Sequence, residues 1–416
     1  MESALDGRGS VRYGPPVPEP GLPVVPGLAA VLAEAADRPH AEPPGGGRAL
    51  LESARRYWAR RGLAADAALT AAAPGAPALL LALTAATGGD VLLPRPCPAW
   101  WAPQARLLGR PTYSVPSPAA CGGVPDPYAL LETVRRVRAE GGDPRLLVLA
   151  VADDPTGTVV PAEVMSRAVE AAAAEGLHVV SDETWRDTVH RPEETPVVGP
   201  AEMLPDGVTV ICDLSGGWLP PGWPAAVVRF PDTVAGARLR ARCLDILTAL
   251  DAALATPVAV AAAHALDEPP ELTARLAHAV ALHGRLATAL HTTLHSAGAL
   301  VRPPQAGRHL YADLSPFAPA LAARGVTDAL ELENDLTARL GMPAPGGHRF
   351  GDDLAGLRVR LSTGALLGHD ERVRAALLTG APDPLQAAPV RRALDRVAEV
   401  LGALGASPAG AQEATP

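Results

Sequence analysis

The sequence predicts an α/β fold, in which a three-layer large domain with a mostly parallel seven-stranded sheet precedes a smaller α+β C-terminal domain. Strand-length apolar runs alternate with helical segments, the pattern of βαβ units. The central runs are continuously apolar, as expected of strands covered on both faces, and 416 residues suffice for two domains. We expect an N-terminal arm, a large domain, a small domain and a disordered tail, over residues 1–45, 46–265, 266–405 and 406–416.

Composition and charge exclude several classes of protein. The formal net charge is −9 and the arginines are spread along the chain, whereas a nucleic-acid-binding face concentrates basic side chains. No apolar run reaches the roughly 18 uninterrupted residues of a membrane span, and residues 1–20 contain no apolar signal core. The four cysteines lie far apart without a CxxC pair, which favours reduced thiols and a cytoplasmic location. We expect neither nucleic acid nor a membrane as a partner.

The large domain is predicted from periodicity. A helix over 48–61 has apolar residues at helical spacing and ends at Gly62. The last strand follows the sixth closely, which suits an antiparallel neighbour. The predicted strands cover 68–72, 90–93, 112–115, 146–152, 178–182, 208–211 and 225–230, with further helices over 27–36, 76–86, 101–108, 127–139 and 161–175.

The C-terminal part is predicted to be helical at first and then mixed. A long helical region over 234–297 is expected to break only near the Glu-Pro-Pro sequence at 268–270. Strands over 310–314 and 357–362 alternate with helices over 329–340 and 389–404. This order predicts a small α+β domain.

One stretch carries a chemical signature. Residues 212–223 read CDLSGGWLPPGW and lie between two predicted strands. The stretch resembles the lysine loop of fold-type I pyridoxal phosphate (PLP) enzymes, the class I/II aminotransferases, which reads Ser-x-Ser-Lys and then Gly-Trp-Arg. Ser215 and the Gly-Trp pair match, but Gly216 stands at the lysine position and Pro224 at the phosphate-binding arginine. The chain contains no lysine, and arginine cannot form the imine that tethers PLP.

The resemblance implies further cofactor positions on the large domain. Asp182, in Ser-Asp-Glu-Thr-Trp, matches the aspartate that pairs with the pyridine nitrogen of PLP. Trp185 stands at the ring-oxygen tyrosine, and its indole donates one hydrogen bond without acid or base capacity. Asp154, in Asp-Asp-Pro-Thr-Gly, replaces the asparagine that donates to the cofactor's phenolic oxygen. An acidic residue capping a strand end is the alternative interpretation of Asp182.

Two more cofactor positions are weaker matches. Gly75 and Ala76 begin a helix where the family holds the phosphate on backbone N–H groups, although a plain strand-to-helix turn explains them equally well. Pro98 stands at the residue that stacks on the pyridine ring. A register change would let Trp100 or Trp101 take its place, and packing of both in a domain interface is the alternative.

Arg360 is the predicted substrate-binding residue. The sequence Arg-Val-Arg-Leu-Ser at 358–362 matches the Arg-x-Ser strand that holds the substrate α-carboxylate in the family. A guanidinium group suits two-point contact with a carboxylate. A surface salt bridge is the alternative interpretation.

Three functional hypotheses follow. The first is an aminotransferase class I/II-like protein that is degenerate for Schiff-base chemistry and binds a small carboxylate or an amino-acid-like ligand. The second is a family enzyme that holds PLP or its amine form, PMP, only non-covalently. The third is cofactor-free chemistry in the same cleft, for which Cys97, His178, His190 and Asp182 are the reactive groups. The resemblance also implies a homodimer, and no residue pattern predicts a metal site.

Overall fold

The computed structural model of the chain describes residues 21–379 and 383–405. The first part of the predicted arm, residues 1–20, and the predicted tail, residues 406–416, lie outside the described residues. The remainder of the arm contains one helix, which packs on a helix of the large domain through Leu28.

The predicted helices and strands are present in the predicted order. The helices are α1 (Pro26–Glu34), α2 (Arg48–Arg60), α3 (Ala76–Thr87), α4 (Trp101–Leu107), α5 (Pro127–Ala139), α6 (Ala162–Ala174), α7 (Pro200–Met203), α8 (Val234–Ala249), α9 (Thr256–Leu266), α10 (Pro270–Ala297), α11 (Ala318–Ala322), α12 (Ala329–Leu340), α13 (Thr363–Leu366), α14 (Glu371–Leu378) and α15 (Ala388–Gly405). The strands are β1 (Thr70–Ala73), β2 (Asp90–Arg95), β3 (Thr112–Pro116), β4 (Pro144–Ala150), β5 (His178–Asp182), β6 (Val208–Asp213), β7 (Ala226–Arg229), β8 (Leu300–Val301), β9 (His309–Asp313) and β10 (Arg358–Ser362). Four short helices, α7, α11, α13 and α14, and one short strand, β8, were not predicted.

The first seven strands form one sheet in the order β1-β7-β6-β5-β4-β2-β3. Strand β7 is antiparallel to both of its neighbours, and every other pairing is parallel. The predicted fold class, including the antiparallel last strand, is confirmed. The buried residues of β4 and β5 are mostly valine and leucine, because helices cover both faces of the sheet.

The register of the sheet brings the polar ends of its central strands together. Ala150 pairs with Asp182, and Asp182 pairs with Ile211 in the next strand. The carboxyl ends of β4, β5 and β6 therefore lie side by side. In open α/β sheets this edge is where ligands bind.

A second, antiparallel sheet has the order β10-β9-β8 and its own hydrophobic core. Helix α10 packs on both cores, since Leu272 and Leu276 belong to the large core and Leu286 and Leu290 to the small one. This long helix fixes the two sheets relative to each other. The boundary predicted between residues 265 and 266 stays a prediction.

The predicted helical region over 234–297 has a second break that the sequence analysis missed. Helix α8 ends at Ala249, and α9 begins at Thr256 with a proline in its first turn. Asp251 between them has a φ of 50°, a left-handed conformation that interrupts a helix. None of the helices in the described part of the chain has the length and apolar character needed to cross a membrane.

Candidate functional site

The predicted site residues of the large domain lie where its parallel strands end. Gly75 follows β1, Trp101 follows β2, Asp154 follows β4, Asp182 ends β5 and Ser215 follows β6. We call this edge, including Asp213 and Gly216, the rim. The strands are rigid and apolar, so the turns that follow them hold the polar side chains at fixed positions.

Asp182 is buried in the rim and bonded to two groups of the protein. The indole Nε1 of Trp101 donates to Oδ2 at 3.2 Å, and the backbone N–H of Thr184 donates to Oδ1 at 3.0 Å. Burial raises the pKa of Asp182 to about 6, with repulsion from Asp213 as a lesser cause and the hydrogen bonds opposing both. Each carboxylate oxygen therefore has a protein donor, without an external cation.

The N-terminus of α3 is held by a carboxylate of the protein. The backbone N–H of Ala76 donates to Oδ2 of Asp213 at 2.8 Å. The other oxygen, Oδ1, accepts from the hydroxyl of Ser215 at 2.6 Å and from its N–H at 2.9 Å. Asp213 thus occupies the position where helix N–H groups would bind a phosphate, and its negative charge would repel one.

Asp213 was not among the predicted site residues. It stands at the first serine of the Ser-x-Ser-Lys pattern that aligns Ser215 with the second serine. That replacement of a hydroxyl by a carboxylate was a signal in the sequence. Its consequence depends on the contact with α3, which begins 137 residues earlier.

Gly216 has no room for a side chain. A Cβ built at Gly216 would overlap the carbonyl oxygen of Thr184 and lie 2.9 Å from Thr184 Cγ2. The backbone oxygen cannot move away as the end of a flexible side chain would. The loop leaves no room at the position that the resemblance assigns to the lysine, so a larger residue there requires the loop to shift.

Arg360 is paired with Asp154 across the cleft between the two sheets. Its Nη1 lies 2.9 Å from Oδ1 and 3.1 Å from Oδ2 of Asp154, and its guanidinium lies 4.9 Å from the centre of the Phe350 ring. His309 Nδ1 lies 3.1 Å from the same Oδ1. Burial raises the pKa of Asp154, but Arg360 and His309 outweigh it and hold the pKa well below its usual range.

The carboxylate next to Asp154 has the opposite electrostatic environment. Asp153 accepts a hydrogen bond from the Thr156 hydroxyl at 2.5 Å. Burial, together with the adjacent Asp154 charge, raises the pKa of Asp153 to about 7, although the Thr156 hydrogen bonds oppose the rise. Neither Asp153 nor His309 was predicted as a site residue, and His309 is recognisable only from its contact with Asp154.

Trp185 packs against the ion-paired cluster and also lines a pocket. Its ring meets that of His309 edge-to-face, with centroids 5.6 Å apart. On its other side a pocket also lined by Ser215 and Gly216 has a cavity volume of about 50 Å³. For comparison, a cavity of roughly 150 Å³ holds one benzene molecule.

PLP, the cofactor that the resemblance implies, does not fit the residues present. The chain has no lysine, Gly216 abuts Thr184, and Asp213 holds the N-terminus of α3. Trp101 donates to Asp182 in the place of a pyridine nitrogen. The structure brings the predicted residues together in one rim, but the chain's own groups make the contacts predicted for a cofactor.

Comparisons with known proteins place these observations in a family. The sequence profile described as aminotransferase class I and II matches residues 42–342. Among solved structures, the chain is similar to aspartate aminotransferase from Thermus thermophilus with maleate, with 20% identity, a TM-score of 0.74, and coverage of 92% of this chain and 90% of that one. It is also similar to the aromatic aminotransferase from Pyrococcus horikoshii OT3, with 17% identity, a TM-score of 0.75, and coverage of 92% and 94%. No curated protein matches the chain.

Proposed function

The chain belongs to the aminotransferase class I and II family, and from that premise we propose that it has lost Schiff-base chemistry and binds a small carboxylate in the cleft. The observation that carries this proposal is the position of the missing lysine. The Thr184 carbonyl leaves no space for a side chain at Gly216, and no side chain in the sequence carries a primary amine. A carbonyl cofactor has no side-chain partner with which to form an imine.

Three substitutions for external groups support the same proposal. The Trp101 N–H donates a hydrogen bond to Asp182, and the Asp213 carboxylate accepts one from the first N–H of α3. The Asp154 carboxylate pairs with Arg360. In the family these partners are a pyridine nitrogen, a phosphate and a substrate carboxylate. Because buried polar groups are costly to leave unpaired, such internal partners stabilise a protein that folds without a cofactor.

The carboxylate ligand is proposed from Arg360. The resemblance assigns Arg360 to the position that binds the substrate carboxylate in the family, and here its guanidinium contacts Asp154. A ligand carboxylate must therefore displace Asp154, which His309 continues to hold. We infer that binding at Arg360 is weak in the native chain and is limited by this internal competitor.

Maleate tests this competition, since one of the Thermus thermophilus aspartate aminotransferase structures contains it. We expect Asp154→Asn to bind maleate about tenfold more tightly than the native chain by isothermal titration, a difference of about 1.4 kcal/mol. Arg360→Gln should remove binding. Arg358→Gln is the matched control, because Arg358 lies two residues away on β10 and pairs with Asp313 and Asp352 instead.

The maleate titrations test two claims separately: that Asp154 competes with the ligand, and that Arg360 binds its carboxylate. Equal affinities of the native chain and Asp154→Asn would refute the internal competitor. Unchanged binding by Arg360→Gln, or loss of binding by Arg358→Gln alone, would refute Arg360 as the carboxylate-binding group. Circular dichroism spectra of the three variants should match the native spectrum, so that loss of binding is not loss of folding.

Non-covalent binding of PLP or PMP is the second candidate function. It is favoured by Asp182, which keeps a buried carboxylate at the end of β5. This candidate requires Trp101 to leave Asp182 and Asp213 to leave α3. Titration calorimetry with PLP and PMP distinguishes the two candidates, and heat of binding for either compound favours the second.

We also propose a homodimer on the basis of the family resemblance, to be tested by sedimentation equilibrium.

A further inference from the structure

The pocket beside Trp185 differs from the cleft at Arg360 in its charge. We call it the Arg275 pocket; it is bordered by the loop after β6, the first half of α10 and residues 21–22 of the arm. Three of its lining residues are basic, Arg275, His283 and Arg308, and none of the described residues that line it is acidic. Among the described residues, the pocket therefore presents basic groups to a ligand and no carboxylate.

Arg275 is the group whose charge is least compensated. It is half-buried, and its Nη2 donates to the backbone carbonyl of Pro23 at 3.2 Å. Among the described residues it makes no ion pair, and burial lowers its pKa. A half-buried guanidinium has five N–H donors and costs free energy when it lacks an anionic partner.

One wall of the pocket is apolar. Leu219 and Pro220 come from the loop after β6, while Leu276, Ala279 and Val280 follow Arg275 on α10. The cavity volume of about 50 Å³ admits only a few non-hydrogen atoms. Basic side chains on one side of the pocket and an apolar wall on the other favour a small anion with a short alkyl group over a fully hydrated inorganic ion.

We propose that the Arg275 pocket binds a small aliphatic monocarboxylate, with the guanidinium of Arg275 on the carboxylate and the alkyl group against Leu276 and Val280. This site goes beyond the proposed function, because it uses Arg275 on α10 and not Arg360 on β10. The cation of Arg360 already has Asp154 as its partner. A ligand in the Arg275 pocket displaces no carboxylate of the described chain.

The arm forms part of this site. Gly21 and Leu22 line the pocket, and Arg374 holds the Gly21 carbonyl at 2.8 Å. The Pro23 carbonyl is held by Arg275 itself. A carboxylate at Arg275 therefore contacts a group that also fixes the arm, so ligand binding and the position of the arm are linked.

The test is a titration of the full chain with propionate, with propylamine as the cationic control and inorganic phosphate as the second anion. We expect saturable propionate binding, no propylamine binding, and an affinity for phosphate at least about tenfold weaker than for propionate. Arg275→Gln should weaken propionate binding at least about tenfold, and Arg275→Lys should restore part of it because the charge returns.

Two further variants keep the test decisive. Arg285→Gln is the matched control, because Arg285 lies on the same helix and pairs with the exposed Asp383. Val280→Phe fills the pocket from its apolar wall and should remove propionate binding even if Arg275→Gln fails to fold. Arg360→Gln should leave propionate binding unchanged, so this inference and the proposed function fail separately.

Several results would overturn the inference. The native chain would not bind propionate, or it would bind propionate and phosphate equally well. Arg275→Gln and Arg285→Gln would bind propionate equally well, or Arg360→Gln would lose propionate binding while Arg275→Gln retained it. Unchanged propionate binding by a folded Val280→Phe would refute the location. Loss in Arg275→Gln and Val280→Phe, with retention in Arg285→Gln and Arg360→Gln, supports it.

Discussion

The seven-stranded sheet and the rim at its strand ends have the same ancestry but differ in what they retain. The sheet has the mostly parallel, seven-stranded architecture of the family's large domain, and its central residues are mostly buried valines and leucines. In the rim, positions that the resemblance assigns to a cofactor contact other groups of the chain, with Gly216 and Asp213 as the clearest cases. The sheet depends on many interchangeable apolar contacts, whereas cofactor chemistry depends on a few specific atoms, so the two diverge independently.

The largest expected effect is on the sheet side of this comparison. Leu147 lies on β4 and is fully buried in the large core. We expect Leu147→Ala to lower the free energy of unfolding by about 2–5 kcal/mol, because it leaves a cavity between the sheet and its helices. Urea unfolding measures this change.

Leu107→Ala is the control for Leu147→Ala. Leu107 lies on α4 with 77% of its surface exposed, so its removal should change the free energy of unfolding by less than about 0.5 kcal/mol. A cost for Leu147→Ala as small as that of the control would mean that the sheet is not the stable part of the molecule.

The next prediction concerns two neighbouring carboxylates of the rim. The folded-state pKa of Asp153 is raised to about 7, chiefly by burial. Its ionisation therefore opposes folding; stability falls as the pH rises from the ordinary pKa of 3.8 through about 7. Asp153→Asn removes this cost, and its stabilisation should be about 2 kcal/mol larger at pH 8 than at pH 5.

Unfolding of the native chain and Asp153→Asn at both pH values measures that difference. Asp154 has the opposite sign, since its lowered pKa stabilises the fold above its ordinary pKa and the benefit is lost as the pH falls. An equal effect of Asp153→Asn at pH 5 and pH 8 would show that the Asp153 carboxyl does not titrate between them.

The last prediction compares two glycines of one loop. A Cβ at Gly216 would overlap the Thr184 carbonyl, whereas a Cβ at Gly222 meets nothing within 4 Å. Gly216→Ala should therefore cost about 1–3 kcal/mol, as overpacking does, and Gly222→Ala should be nearly neutral. Thermal unfolding of both variants tests whether the loop has closed over the lysine position. Equal melting temperatures would contradict closure.

Sequence reasoning recovered the sheet more completely than the rim, for a physical reason. Strands such as β4 and β5 are visible as local apolar runs, so their positions follow from a few consecutive residues. The rim depends on contacts between distant residues, such as Arg360 with Asp154, which are 206 positions apart. Each residue was predicted singly, but their pairing with each other, and with His309, required the three-dimensional structure.

The absorbance spectrum of the purified full-length protein, recorded after incubation with PLP and desalting, tests most directly whether the rim holds this cofactor. Borohydride reduction and peptide mapping follow, because reduction traps any imine and mapping locates it along the chain. We predict no retained cofactor absorbance and no reduced adduct at any internal residue. Tightly held PLP that exchanges amino groups with an amino acid at a typical enzymatic rate of about 10 per second would contradict the loss of Schiff-base chemistry.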